Sequence, residues 1–411
     1  MSDVDEVITR AHHDEWARVV AALTRRFSDL DIAEEAAAEA FATAVERWPV
    51  VGVPANPGAW LTTTANRKAI DRIRRENKRD DKHKEAQMVH DDDPPEPLGA
   101  IDDDRLRLIF TCCHPALAME ARLALTLRMV GGLTVPEIAR AFLATESAMG
   151  QRITRAKSKI KAARIPYRMP SAEDLPARVT GVLAVVFLVF NEGYLATGPG
   201  TDPVRHDLTT EAIRLTRLIR VLLPRDGEVA GLLALMLLTE ARRAARVSGS
   251  GELVALDEQD RGAWDAGLIA EGHRLVRERL AAAAAGVAPG RYQILAAINA
   301  VHTSARDSRD TDWSQVLALY DRLVRLDPSP IVALNRAIAV AELDGPEVAL
   351  AIVDRLAEAL AGYHAYHVTR ADLLRRLGRG QESRAAYDKA IDLAGNTAET
   401  AYLTRRRDQL R

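Results

Sequence analysis

Apolar residues recur at helical spacing throughout residues 5–79 and predict three helices. The first covers about 7–27. The second covers about 31–48, and Asp31 can cap its first turn. A segment rich in proline and glycine separates the second helix from a third over 60–75. We expect these helices to form one small all-α domain.

The third helix has an apolar stripe on one face and cations on the other. The stripe consists of Leu61, Ala65, Ala69 and Ile73, and the polar face carries Asn66, Arg67, Lys68, Arg72, Arg74 and Arg75. Residues 60–79 have a local charge of +5, whereas the whole protein has a net charge of −2. Cations bind phosphates and the ring of Trp60 can stack on an unpaired base, so this helix predicts contact with melted nucleic acid. A solvated charged helix is the alternative.

The composition changes at residues 80–104, where ten acidic residues and two lysines give a local charge of −8. A segment this polar cannot bury enough apolar surface to offset its chain entropy, so we predict a flexible linker. A second helical domain is predicted over 105–168. It ends in a short helix at 133–142, a tight turn and a longer helix at 146–163, which is the pattern of a helix-turn-helix.

Local signals support the helix-turn-helix. Thr134 and Glu137 have the spacing of a capping box at the start of the short helix. Residues 151–168 contain seven basic residues and no acidic one. Such a helix suits a duplex major groove, with base contacts near its N-terminal half and phosphate contacts further on. The residues expected to make these contacts are Ser147, Gln151, Arg152, Arg155 and Lys159. A purely structural helical hairpin is the alternative.

Residues 170–411 are predicted to form a third, larger helical domain with a repeat near 315–411. Five residues beginning at Arg336 recur 34 positions later, beginning at Arg370. Thirty-four residues is the period of tetratricopeptide helix pairs, which stack and present a groove to peptides or partner proteins. An ordinary helical bundle is the alternative.

Composition indicates which class of protein this chain belongs to. The chain has 411 residues, of which 47% are hydrophobic and 28% charged, as in folded soluble proteins. The longest apolar run, 181–190, suits a buried helix, and the acidic N-terminus does not resemble a signal peptide. The two cysteines, Cys112 and Cys113, are adjacent and therefore poorly placed for a structural disulfide. We expect a cytoplasmic protein with no membrane contact.

The order of these parts resembles bacterial RNA polymerase sigma factors of the extracytoplasmic-function (ECF) type over about residues 5–166. The resemblance implies that the helix at 31–48 docks on the β′ coiled coil of core polymerase, and the β flap is a further polymerase surface expected as a partner. The polymerase-binding positions that it implies are Glu34, Glu35, Glu39, Phe41 and Trp48. The segment 29–46 has six acidic residues and no basic one, which fits a charged protein interface. Ala38 stands where the family usually has Gln.

The resemblance further implies that the helix at 60–75 melts and reads the promoter −10 element, with Asn66, Asp71, Arg72 and Arg75 at the family's typical positions. The DNA contacts expected on this helix are Trp60, Asn66, Arg67, Lys68, Arg72 and Arg75. The helix at 146–159 would read the −35 element. Gly150 replaces the family's usual basic residue there, so base preference does not carry over. Segments such as 190–194 and 256–261 resemble the C-terminal extension of the subgroup called group 42. This resemblance implies that the extension regulates the sigma factor.

The predicted function is therefore promoter-specific transcription initiation with core polymerase and promoter DNA as partners. A one-component helix-turn-helix regulator with a helical sensor domain is the alternative. We expect no enzyme activity, cofactor or metal, because the carboxylates near Glu192 and Asp257 lack any accompanying catalytic or ligand spacing. Whether Cys112 and Cys113 sense redox, and whether the C-terminal domain inhibits or supports activity, stay open.

Overall fold

The structure is a computed structural model that divides into two compact units, Met1–Leu188 and Val189–Arg411. It describes residues 3–80, 104–142, 144–195, 204–248, 252–394 and 396–410. Throughout these residues the regular structure is helical, and the single extended pairing is one bridge between Val247 and Leu253. The all-α prediction is confirmed. The predicted acidic linker, apart from its end residues 80 and 104, lies outside the described residues.

Among the described residues, eight α-helices begin in the first unit, and the last of them continues past its C-terminal boundary. They are α1 (Asp3–Phe27), α2 (Leu30–Val51), α3 (Pro57–Asp80), α4 (Asp104–Cys112), α5 (Met119–Thr126), α6 (Val135–Ala141), α7 (Glu146–Ala162) and α8 (Leu175–Tyr194). A π-helical turn, Leu127–Gly131, extends α5. The start of α2 differs from the sequence expectation. Asp29, not Asp31, is its N-cap, and its carboxylate accepts hydrogen bonds from the backbone N–H groups of Asp31 and Ile32.

The predicted helix-turn-helix is confirmed as α6 and α7. Thr134 and Glu137 make the reciprocal bonds of a capping box, with the Thr134 N–H donating to the Glu137 carboxylate at 2.6 Å. Thr145 caps α7 by accepting from the Ala148 N–H at 3.2 Å. Met149, Ile153, Ala156 and Ile160 bury one face of α7. The opposite face of this helix is exposed.

The two predicted N-terminal domains pack together as one unit around α1. This helix contacts α2 and α3 on one side, and α4 with the π-helical turn on the other. The buried indole of Trp16 donates to the carbonyls of Arg128 and Met129 in that turn, at 3.2 and 3.1 Å. The Tyr167 hydroxyl donates to the Asp104 carbonyl at 2.8 Å and lies 3.0 Å from that of Ala21. Specific polar contacts therefore join the two sequence-predicted domains.

Helix α8 is longer than the apolar run that predicted it. Its 20 residues make it long and apolar enough, by length and composition alone, to cross a membrane. Val182, Leu183 and Val186 on this helix are buried. Arg178 also donates to the carbonyl of Phe110 in α4, which ties the first half of α8 to the first unit. These contacts are those of a core helix in a globular fold.

The second unit contains eleven α-helices among the described residues. They are α9 (His206–Leu222), α10 (Gly227–Glu240), α11 (Arg243–Arg246), α12 (Ala266–Ala284), α13 (Arg291–Ser304), α14 (Trp313–Leu326), α15 (Pro330–Leu343), α16 (Pro346–Asp354), α17 (His364–Arg376), α18 (Gly380–Asp392) and α19 (Thr397–Asp408). Two 3-10 turns, Arg261–Ala263 and Ser308–Asp310, lie between them. Helix α10 is buried along almost its whole length and forms the centre of the N-terminal half.

The 34-residue repeat appears as two consecutive helix pairs. Helices α15 and α17 begin at residues 330 and 364, and α16 and α18 begin at 346 and 380, so each start shifts by 34 positions. An arginine–aspartate pair also recurs between neighbouring helices. The pairs are Arg336–Asp321 at 2.7 Å, Arg370–Asp354 at 2.8 Å and Arg407–Asp388 at 2.8 Å. The periodic residues of the sequence therefore mark equivalent positions in a stacked helical array.

Candidate nucleic-acid and protein interfaces

Helix α3 packs its apolar stripe into the core and therefore presents basic residues to solvent. Leu61, Ala65 and Ala69 are fully buried, as predicted, and Ile73 is half-buried. Asn56 caps the helix by accepting from the Ala59 N–H at 3.0 Å. On the opposite side Arg67, Arg74 and Arg75 are exposed, whereas Asn66, Lys68 and Arg72 are half-buried. This surface can meet a polyanion without any rearrangement of the core.

Trp60 is held at the beginning of α3 by a second tryptophan. Its ring meets that of Trp48 edge to face, with 5.5 Å between the ring centroids. Trp48 is buried, whereas Trp60 remains half-buried with part of its ring at the surface. A base that stacks on Trp60 would therefore meet a ring of fixed orientation.

Two of the predicted polymerase-binding glutamates pair with two of the predicted DNA-binding cations. Glu39 lies 3.7 Å from the Lys68 ammonium, and Glu35 forms an ion pair with Arg72. All four side chains are between 33% and 45% exposed. Ion pairs at this exposure contribute at most about 1 kcal/mol. A phosphate or a charged protein partner can therefore replace either member at low cost.

Phe41 and Trp48 are two of the positions that the resemblance implies for polymerase binding. Both are buried, and Phe41 packs on His12 and Trp16 of α1 at centroid distances of 4.9 and 5.7 Å. Their side chains hold α2 against its neighbours and do not face solvent. The exposed side chains of α2 include acidic residues such as Glu46, and also the apolar residues Val45 and Val50.

The exposed face of α7 carries most of the side chains predicted to read duplex DNA. Ser147, Gln151, Arg155 and Lys159 follow one another at four-residue intervals and are all exposed. The Arg155 guanidinium lies 3.4 Å from the Gln151 amide oxygen, so these two side chains already share one patch. Arg152 is half-buried beside them. The geometry suits contact with base edges and phosphates from one helix face.

Lys157 on the same helix points the other way, into a buried charge cluster that sequence reasoning missed. Its ammonium donates to Glu34 of α2 and, at 2.8 Å, to Asp31. The second Glu34 oxygen accepts from Arg128 of the π-helical turn at 2.5 Å. Burial alone raises the pKa of Glu34, but the charges and hydrogen bonds of Lys157 and Arg128 more than offset this, so its pKa lies below the ordinary value.

A second ion pair lies at the edge of this cluster. Lys161, one turn beyond Lys157, is 3.2 Å from Asp29, the residue that caps α2. Burial raises the pKa of Asp29, but its backbone hydrogen bonds and Lys161 outweigh burial and hold the pKa below its usual range. Glu34, Asp31 and Asp29 are called the acidic face of α2 below. In this structure the acidic face is occupied by basic residues of the second predicted domain.

The described residues contain no group of three potential ligands that could hold a metal ion. Cys112 and Cys113 are free thiols and both are buried. Burial raises the pKa of Cys113 to about 11, and burial together with its neighbour raises that of Cys112. Thiolates are the reactive species in oxidation, so this environment disfavours a redox sensor.

Three families match separate parts of the chain. Residues 12–79 match Sigma-70 region 2, residues 107–160 match Sigma-70 region 4, and residues 178–280 match a family of unknown function, DUF6596. The first two ranges contain the basic helix and the helix-turn-helix. The third range begins in α8 and ends within α12.

Relatives cover both the whole chain and its N-terminal part. An uncharacterized protein of Rhizobium meliloti (strain 1021) is 44% identical over 96% of this chain and 93% of its own length. The ECF RNA polymerase sigma factor SigK of Mycobacterium tuberculosis is 30% identical over 170 residues, which is 37% of this chain and 88% of SigK. The crystal structure of yeast Tom70 aligns with 99% of this chain and 85% of its own, with 12% identity and a TM-score of 0.35.

Regions 2 and 4 of Sigma-70 thus occur in order on the two helical parts described above, and nearly all of SigK aligns with this chain. The chain belongs to the ECF RNA polymerase sigma factor family.

Proposed function

We propose that this protein recruits core RNA polymerase through α2, opens and reads the −10 element through α3, and reads the −35 element through α7. Membership of the family makes it a transcription initiation factor that acts with core polymerase and promoter DNA and catalyses no reaction itself. Its site of action would be the cytoplasm. The observation that carries the residue assignment is the pair of exposed basic faces on α3 and α7, each with its apolar side buried in the same unit.

The −10 assignment rests on the surface around Trp60 and Asn66. The Asn66 side-chain oxygen is buried and makes no hydrogen bond within the described chain. An unsatisfied buried polar atom is costly, and a small shift of the half-buried Asn66 side chain would let its amide pair with an unstacked base. The half-buried ring of Trp60 supplies a stacking partner on the same helix, and Arg67, Arg74 and Arg75 supply cations.

A reconstituted transcription assay tests the whole proposal. Purified protein and core polymerase are incubated with a pool of genomic templates, and the transcripts are sequenced to map their start sites. We expect new start sites that share two sequence elements. If active core polymerase gives no new start sites when the protein is added, the proposal is contradicted. Binding to core polymerase in a pull-down also separates it from a one-component regulator, which has no need of the acidic helix α2.

Variants separate the two DNA-reading helices. Arg152→Ala and Arg155→Ala should weaken binding to −35 duplex without affecting strand opening. Asn66→Ala and Arg72→Ala should leave duplex binding unchanged and impair opening, measured by permanganate reactivity of unpaired thymines. Thr63 is exposed on α3 and carries no charge, so Thr63→Ala serves as the matched control. Equal effects of all variants on both readouts would contradict the division of labour.

For the second unit we propose regulation through a partner bound in a groove, as in the group 42 type of extension. A cavity of about 920 Å³ lies within this unit, in the volume range of ligand and peptide pockets. Its walls carry five arginines and three acidic residues. These are Arg261, Arg309, Arg375, Arg376 and Arg406, with Asp257, Glu342 and Asp372. Trp313, Tyr387 and Tyr402 add aromatic surface, so an acidic peptide suits the groove best.

A labelled glutamate-rich peptide tests this groove directly. Arg309 is an exposed wall residue, and Arg306 is an equally exposed arginine outside the wall. Fluorescence anisotropy should show binding that Arg309→Glu weakens and Arg306→Glu leaves unchanged. Equal loss in both variants would indicate only nonspecific attraction between opposite charges.

Truncation decides whether the second unit inhibits or supports transcription. The deletion should start after Leu195, because α8 begins within the first unit and Arg178 holds it to Phe110. Higher promoter output from the truncated protein would indicate inhibition. Lost output from a folded fragment would indicate that the second unit is needed for activity.

A further inference from the structure

Two arginines of the second unit are buried without a counter-ion. Arg242 caps the short helix α11 and is 9% exposed, and Arg246 ends that helix and is 7% exposed. Within the part of the chain that the structure describes, neither guanidinium forms an ion pair. Glu240, the nearest acid along the chain, pairs with Arg243 at 3.0 Å, and Arg242 donates to the amide oxygen of Asn299 at 3.4 Å. Buried arginines are almost always paired, so this pair fits an anionic ligand.

The positive charge of this pair acts on its neighbours. Burial lowers the pKa of Arg246, and the charge of Arg242 lowers it further. Burial, followed by the charges of Arg242 and Arg261, also lowers the pKa of His302 to about 4. His302 is therefore uncharged at neutral pH. Each of these shifts reports a positive potential around Arg242, which a bound carboxylate would reduce.

Both arginines line one cavity of about 240 Å³. This volume lies just below that of pockets for drug-sized molecules, so the cavity suits a small metabolite. Arg246 is held in its wall by Tyr194, because its guanidinium stacks on the tyrosine ring, with Cζ 3.3 Å from the centroid, and donates to the tyrosine carbonyl. Aliphatic side chains complete the wall, namely Leu253, Val254, Leu256, Val368 and Leu403. A ligand with a charged end and an apolar body matches this division.

Two polar atoms of the cavity residues add a requirement for hydrogen bonds. Nε of Arg242 and Oε1 of Gln259 are buried and make no hydrogen bond within the described residues. The Gln259 amide is oriented by its nitrogen, which donates to the Val254 carbonyl at 3.1 Å, so its oxygen needs a donor. A small rotation of either side chain would turn the atom into the cavity. Glu399, paired with His364 at 3.2 Å, is a second acceptor in the wall.

We propose that this cavity binds an α-amino acid with an apolar side chain. The ligand carboxylate would pair with Arg242 and Arg246, its ammonium group would donate to Gln259 and Glu399, and its side chain would contact the aliphatic wall. An inorganic anion would neutralise the arginines but leave the acceptors and the aliphatic wall without a partner. The cavity shares no arginine with the groove proposed for an acidic peptide, and it has no part in the proposed contacts with promoter and polymerase.

Titration calorimetry on the full chain tests the ligand class. The probes are L-leucine, L-methionine and L-phenylalanine, with 4-methylpentanoate as the leucine skeleton without its ammonium group and sodium sulfate as an inorganic anion. We expect at least one amino acid to bind. If leucine binds, 4-methylpentanoate should bind about tenfold more weakly, through loss of a charge-assisted hydrogen bond. Sulfate should not bind. Failure of all three amino acids to bind would overturn the proposal, and so would equal binding of sulfate or of 4-methylpentanoate.

Arg242→Met locates the site, because it removes the charge and keeps a long side chain. Amino-acid binding should fall on the order of a hundredfold, as when one member of a buried charge pair is lost. Hydrogen exchange of α10 in the free protein should not become faster, since an unpaired buried charge has been removed. Arg243→Met is the matched control, because Arg243 is exposed on the same helix and lies outside the cavity wall. Undiminished binding in a folded Arg242→Met protein, or an equal loss in Arg243→Met, would overturn the proposal.

Gln259→Ala gives a second test that does not disturb a buried charge. Gln259 is half-buried, and its amide oxygen is assigned to the ligand ammonium group. The variant should therefore bind leucine more weakly and bind 4-methylpentanoate as the parent does. Equal losses for both probes would indicate that Gln259 only shapes the cavity, and would overturn the assignment of an amino acid.

Discussion

Gly132 offers a sensitive test of how α1 packs on the π-helical turn. It follows that turn with a φ of +77°, a left-handed conformation that costs other residues about 1 kcal/mol. A Cβ atom at this position would lie 2.8 Å from Cε1 of His12 and 3.0 Å from Cγ of Trp16. Both rings are held on α1, so the added methyl group cannot simply be avoided. Overpacking of this kind costs about 1–3 kcal/mol.

The expected penalty for Gly132→Ala is therefore about 2–4 kcal/mol, the sum of the backbone and packing costs. Gly378 provides the matched control, since its φ is +72° and nothing lies within 4 Å of an added Cβ. Gly378→Ala should cost only about 1 kcal/mol. The difference between the two variants isolates the contact between α1 and the turn.

Hydrogen exchange followed by mass spectrometry in increasing urea is the suitable assay. The chain has two units, so a single global unfolding curve need not report on either of them. Peptides from α1 report on Gly132→Ala, and peptides from α17 and α18 report on Gly378→Ala. Equal losses of protection in the two variants would refute the packing of His12 and Trp16 against Gly132.

Three further predictions address DNA, pH and thiols. Arg155→Ala should lower the slope of log K against log salt for −35 duplex binding by about 0.9, whereas Thr154→Ala, an exposed neighbour, should leave it unchanged. The pKa values of Glu34 and Asp29 lie below their ordinary range, so their stabilisation of the contact between α2 and α7 is intact above about pH 4.3 and is lost as pH falls through the lowered values. Energy transfer between dyes placed by Val50→Cys on α2 and Ser158→Cys on α7 should fall in that acidic window and stay constant from pH 5 to 7. Transfer that does not change in the acidic window would contradict a contact held by these carboxylates. Cys112 and Cys113 should not react with Ellman's reagent until urea unfolds the protein, and rapid reaction of the native protein would contradict their burial.

The pH prediction depends on the groups around Glu34. The positive charges come from two separate elements, Lys157 on α7 and Arg128 on the π-helical turn, while Asp31 on α2 itself shares Lys157. Protonation of Glu34 would leave two cations facing a neutral acid in a buried site. Repulsion between them then favours separation of α7 from α2, so acid should open the unit before it unfolds the helices.

Periodic features of the sequence were sufficient to predict where the helices lie and which of their faces are buried. The stripe of Leu61, Ala65 and Ala69 identified the buried side of α3, because a helix turns through one revolution in 3.6 residues. The capping box at Thr134 identified the beginning of α6. The 34-residue recurrence from Arg336 to Arg370 likewise marked equivalent helices in the second unit. All of these are local properties that neighbouring residues specify.

Side chains with two possible roles were harder to assign. Lys157 counts as one more cation in a basic helix, although its position four residues after Ile153 and three before Ile160 places it on the buried face. Phe41 similarly follows Ala37 and Ala40 on the inner side of α2. Helical spacing therefore predicts that both side chains point into the core. Periodicity alone could not have named their partners.

The sequence by itself determined that this chain is helical, where its helices lie and which helix faces carry charge, because these depend on contacts within a few turns. Only the tertiary structure decided that Lys157 and Arg128 meet Glu34 and that Trp16 meets the π-helical turn. Those partners are about a hundred residues apart in the chain. Their meeting depends on how whole helices pack, and many arrangements of the same amphipathic helices bury similar apolar area.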